Sequence, residues 1–172
     1  MSNVLIGVIG VILFVGLALA GALFLGQRFR DSTNGNKAAT VQAQLKQVTD
    51  AASMARLKTG RPVLVGEVGI YSPLMPRFLK TPPSNPVRPG ASFFLIDEDG
   101  GQTAGGEAAT AVAYLNRDEV SRTICENVDR SAGRTRPGQA FDASTKSFAA
   151  ASIVGTTGCM WNGSAFIVFH RL

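Results

Sequence analysis

The chain has 172 residues, about the size of one domain, with 17 Lys and Arg against 12 Asp and Glu and a net charge of +5. No charged residue stands between Met1 and Gly26, so the whole net charge belongs to the remainder. At 45% hydrophobic and 17% charged the chain is too apolar for a solvated coil; with no second uncharged run of membrane-spanning length, a multi-span transporter is excluded.

Val4 to Leu25 reads VLIGVIGVILFVGLALAGALFL, 22 apolar or small residues. About 20 helical residues at 1.5 Å rise cross a ~30 Å hydrocarbon layer. A secretory signal has a basic start and a shorter apolar stretch, so this run reads as a retained membrane helix. Gly7, Gly10, Gly16 and Gly21 lie along it, and small residues let apolar helices approach closely. An ordinary anchor is the alternative, because glycine is common in membrane spans. Arg28 and Arg30 come directly after the span, and the positive-inside rule would keep the large C-terminal part in the cytoplasm. Against that, long domains translocate largely regardless of nearby charge, and two cysteines suit an oxidising compartment.

The helix is expected to continue past the membrane, from about Val4 to Lys58, through the loose stretch Asp31–Asn36 with a bend or locally melted turn at Gly35. Beyond it, Ala38, Val41, Leu45, Val48, Ala52 and Ala55 recur in steps of three and four, one stripe of an amphipathic helix. That helix stops near Thr59-Gly60, before Pro62. Arg61–Gly90 holds seven of the eight prolines and reads as an irregular loop with short strand pieces at Val63–Val65 and Gly69–Tyr71. Ser92–Ile96 reads as a buried strand closed by the turn-forming Asp97–Gly101, and Ala109–Leu115 as a second strand. Asn116-x-x-Glu119 has capping-box spacing for a helix, with Leu115 and Val120 as its hydrophobic staple. Val120, Ile124 and Val128 would face inward, and Gly133 would end the helix. Ser147–Val154 and Ala165–His170 complete the expected strands. The fold class is α+β: a long N-terminal helix, transmembrane in its first half, packed on a small antiparallel sheet. The division expected is 1–33 for the protruding helix and 34–172 for a globular head. Within the head, 34–59 is the amphipathic helix half, 60–90 a loop, and 91–172 the sheet and C-terminal region.

Cys125 and Cys159 are the only cysteines. A disulfide is favoured in an exported domain; two buried thiols or half a metal site are the alternatives, and the single His170 cannot complete a Cys2His2 zinc set. No catalytic arrangement, phosphate loop or EF-hand register can be placed, so no enzyme activity, metal or cofactor is expected. Asp97, Glu98 and Asp99 read as a solvated turn. The basic residues, densest at Arg130, Arg134 and Arg136, have no aromatic interleaving. They read as a solvated face, with nucleic acid a minor alternative partner.

The organisation resembles that of type IV pilins and is most similar to the type IVb subgroup. The resemblance is carried by the long apolar start, by Gly26-Gln-Arg28, Asp31-Ser-Thr-Asn34 and Lys37-Ala-Ala39, and by Cys159-Met-Trp-Asn-Gly163 before the last strand. It implies a ladle-shaped subunit whose helix packs on an antiparallel sheet through a connecting loop. Cys125 and Cys159 resemble the family's C-terminal disulfide. The implied partners are copies of the chain itself in a helical homopolymer, other pilins, the pilus assembly machinery and, before assembly, the bacterial inner membrane. The implied final location is an extracellular filament, and Gly7, Gly10, Gly16 and Gly21 would pack its core. The chain departs from the family at Leu5, where most pilins carry a Glu that neutralises a neighbour's N-terminal amine. That departure points to a minor, tip or pseudopilin-like subunit. A single-pass anchored, extracytoplasmic binding domain, or a pseudopilin of a secretion or conjugation system, is the competing reading.

Overall fold

The computed structural model describes residues 2–69, 72–97, 105–133, 155–161 and 163–172. Helix α1 runs Ser2–Thr59, matching the continuous helix expected over Val4–Lys58, and the stretch Asp31–Asn36 expected to be loose within it is helical. The Thr33 and Thr40 hydroxyls donate back to the carbonyls of Phe29 and Asn36, each at 2.8 Å. These bonds fix the hydroxyls inside the helix rather than in a competing turn. Gly60, at φ 64°, ends α1 in the left-handed region and donates to the Arg56 carbonyl at 2.9 Å.

Two compact units divide the chain, Met1–Asn34 and Gly35–Leu172. In the second, Ala38, Val41, Leu45, Val48, Ala52 and Ala55 are all buried, as the 3.6-residue period requires. They pack on an antiparallel sheet of β1 (Gly66–Val68), β2 (Phe93–Ile96), β3 (Thr110–Tyr114), β4 (Thr157–Trp161) and β5 (Phe166–Arg171). The spatial order is β1-β2-β3-β5-β4. The last strand in sequence therefore lies inside the sheet, with Val112 opposite Phe169 on one side and Cys159 opposite Val168 on the other.

Side chains alternate along each strand. Phe93, Leu95, Ala111, Ala113, Cys159 and Val168 share one cluster with the α1 stripe. Ile96, Val112, Met160, Ile167 and Phe169 form a second cluster on the other face, where Phe94 meets Tyr114 edge to face at 5.6 Å. Burial on both faces explains why β2 and β5 read as apolar runs rather than alternating patterns.

Helix α2 spans Glu119–Ser131, and its start corrects the sequence reading. Asp118, not Asn116, is the N-cap, accepting from Ser121 N at 2.8 Å. Ser121 Oγ in turn accepts from Asn116 N at 3.1 Å. With the cap moved two residues on, Leu115 and Val120 no longer hold staple positions: Leu115 is buried and Val120 is exposed. The inward face is Ser121, Ile124, Cys125, Val128 and Asp129. Gly133, at φ 75°, follows the C-cap Ala132.

The strand expected at Val63–Val65 is an isolated bridge, Leu64 to Glu107, and the regular strand begins at Gly66. Ile70 and Tyr71 of the second strand piece, the turn residues Glu98–Gly101, and the strand assigned to Ser147–Val154 lie outside the described residues. Strand β4, around Cys159, has no counterpart among the strands expected from the sequence.

Candidate functional site

The first unit carries the most unusual surface. Val11, Ile12, Leu13, Phe14, Leu17, Leu19 and Leu23 all expose more than three-fifths of their surface. They occur at spacings that reach every side of the helix, so this is an all-round apolar cylinder, not a stripe. An exposed apolar area of this extent marks a membrane or protein contact. The helix is long and apolar enough to cross a bilayer. Beyond the adjacent residues and backbone of its own helix, a Cβ added at Gly7, Gly10, Gly16 or Gly21 would meet no atom within 4 Å. Nothing inside the chain therefore requires glycine at these four positions.

In the second unit the chemistry-bearing side chains hold elements together. Cys125 of α2 and Cys159 of β4 form a disulfide with Cα atoms 5.2 Å apart. One turn after Cys125, the buried Asp129 carboxylate accepts from Cys159 N at 2.7 Å. The outer edge of β4 is thus tied to α2 by a covalent and a charge-assisted bond. Sequence reading missed Asp129; the available signal was its i+4 spacing from Cys125, which places both on one helix face. Gln42 Nε2 donates to Ser131 Oγ at 2.8 Å and joins α1 to the end of α2.

Asn85 anchors the proline-rich loop. Its Nδ2 donates to the Tyr114 carbonyl at 2.9 Å, while its Oδ1 accepts from Val87 N and Arg88 N at 3.0 Å each. Asn116 Nδ2 donates to the Val87 carbonyl at 3.3 Å. Arg56 pairs with Glu107 at 3.3 Å, both partly exposed.

A cleft of about 580 Å³ is lined by Gln42, Lys46, Ser131, Thr157 and His170 among others. The His170 Nδ1 is hydrogen-bonded to the Thr157 hydroxyl. Burial, and then the nearby Lys46 charge, push His170 below the usual imidazole value, while Asp50 opposes them. Lys46 itself pairs with Asp50 at 2.9 Å across one turn. Of the densest basic group, Arg130 is exposed on α2, and Arg134 and Arg136 lie outside the described residues.

Comparison with protein-family models, with curated proteins and with solved structures finds no match.

Proposed function

We propose that the chain is a structural subunit of a type IVb-like pilus filament. The observation that carries this reading is the all-round apolar surface between Val8 and Leu25 together with a separately packed, disulfide-closed head. In lipid the cylinder anchors the monomer in the bacterial inner membrane. In the assembled state its apolar sides are covered by the same helix from other copies, and the heads form the filament surface. Transfer from lipid to protein gains little hydrophobic energy, so close contact must contribute. The glycines at 7, 10, 16 and 21 leave room for that contact.

The test is shear fractionation of cells expressing the full chain. A subunit appears as polymer in the sheared surface fraction, and Gly10→Leu or Gly16→Leu lowers polymer yield while membrane insertion persists, because hydrophobicity rises. Polymer from the glycine variants equal to wild type, or a wild-type chain that stays in the membrane fraction, removes the filament reading.

A second reading is favoured by one observation, the lack of any carboxylate before Asp31. The chain would then be a single-pass anchor for an extracytoplasmic binding domain, or a subunit placed only at the filament tip. Leu5→Glu separates these roles. An ordinary subunit gains polymer from the added acid, whereas a tip subunit or an anchor gains none.

A further inference from the structure

We propose that Arg30 of one copy pairs with Asp31 of a neighbouring copy, and that this ion pair selects which sides of two apolar helices meet. The inference rests on the filament reading and specifies its interface. Arg28, Arg30 and Asp31 are the only charged residues in the first 36, and Asp31 is the only carboxylate before Asp50. The Arg30 and Asp31 side chains are exposed, on the same stretch of helix as the exposed Leu25 and Phe29.

Successive residues on an α-helix are about 100° apart around its axis and do not face each other. Asp31 therefore cannot neutralise Arg30 of its own chain. Packing the apolar surfaces together takes water from everything they carry, and a cation dehydrated without a counter-charge is costly. Arg30 then opposes assembly unless a carboxylate from another copy reaches it. Among residues 1–34 that copy offers only Asp31, whose two oxygens can accept from more than one donor.

Because the two residues point in different directions, one copy can meet two neighbours, with Asp31 on one side and Arg30 on the other. Such a head-to-tail contact closes into a ring or continues as an open helical polymer according to its rotation. The two residues are one 1.5 Å step apart, so paired copies lie within about two helical turns of the same height. Before assembly the same arginines stand at the end of the apolar run, where anionic headgroups attract them. Assembly exchanges a lipid phosphate for the neighbour's Asp31.

Charge reversal and charge exchange in the full chain, read as polymer in the sheared fraction, test the pairing. Asp31→Arg and Arg30→Asp each lower the yield about tenfold or more, as loss of a charge-assisted contact does. Exchanging the two residues (Arg30→Asp with Asp31→Arg) restores polymer, because each contact keeps one charge of each sign. Co-expression of the two single variants also restores it, as an alternating copolymer. The exchange variant keeps the net charge, so it decides the matter even if a single variant inserts poorly. Wild-type yield from Asp31→Arg, or failure of the exchange variant to recover, overturns the ion pair while leaving the filament reading in place. A wild-type chain absent from the sheared fraction overturns both.

Discussion

The Asp118 carboxylate accepts from Ser121 N at the start of α2, and hydrogen bonding from the Ser121 side chain and then its backbone holds it below its ordinary 3.8. A folded-state value below the unfolded one means the cap stabilises above about pH 4 and that this contribution is lost as pH falls further. Asp118→Ala should cost roughly 1 kcal/mol at neutral pH, as loss of an N-cap does, and the difference from wild type should shrink in acid. Chemical denaturation at pH 7 and pH 3 measures both. His170 has the same sign from a different cause, since burial disfavours its charged form. Its contribution is fully present above the unfolded value of 6.5 and is lost as pH falls through the lowered folded value. It is the single histidine of the chain, so its ordinary value lies inside the pH 7.5 to 5 window and a fall in melting temperature there is the expected sign of its burial. His170→Gln should flatten that fall; an unchanged slope would assign it elsewhere.

At the scale of elements, the α1 stripe is the part with the most consequence for stability. Leu45 is fully buried against the sheet, so Leu45→Ala should cost about 2–5 kcal/mol. Leu45→Asp should cost more, because it buries a charge without a partner. An unchanged denaturation midpoint for either variant would show the face to be wrongly assigned. This stripe is legible in the sequence because its period is long and uninterrupted. Strands β2, β3 and β5 are legible because apolar and β-branched residues cluster there between turn signals. Strand β4 is not: Thr157-Gly-Cys-Met-Trp161 is five residues with a glycine inside, and its place depends on pairing with β5 and on bonds from α2. The start of α2 is misplaced by sequence reading because Asn116 and Asp118 both precede a residue able to complete a cap, and spacing alone does not choose between them. The choice falls to Asp118, whose carboxylate accepts from Ser121 N, while the Asn116 amide turns to the Val87 carbonyl and its backbone N to the Ser121 hydroxyl. These are contacts of tertiary structure, which local patterns do not encode. The candidate surface is legible in a different way. A run of 22 uncharged residues needs no packing partner to be recognised, whereas Asp129 and Asn85 gain their roles only from what the fold brings to them.

At the scale of the whole molecule, the buried hydrophobic side chains among the described residues begin at Ala38, and the contacts within Gly35–Leu172 form one compact unit. The Met1–Asn34 segment contributes none of them, so the head should keep its stability without it. A fragment beginning at Asn34 should be soluble without detergent, unfold cooperatively and bind no membrane, while the full chain requires lipid or detergent. Cys125 and Cys159 in that fragment should resist thiol labelling in denaturant until a reductant is added. Reduction should then lower stability by on the order of 3–4 kcal/mol, the chain-entropy cost of opening a loop of this length. The loss should be felt where α2 holds the edge of the sheet, because Asp129 remains bonded to Cys159 N only while the helix and β4 stay in register. Hydrogen exchange gives that location: in the reduced fragment the α2 and β4 amides should lose protection first, whereas first loss at Val87 and Arg88 would place the weak point at the Asn85 anchor instead. A fragment that aggregates or melts without a cooperative transition would mean that the head draws stability from the apolar segment, and the two units would not be independent.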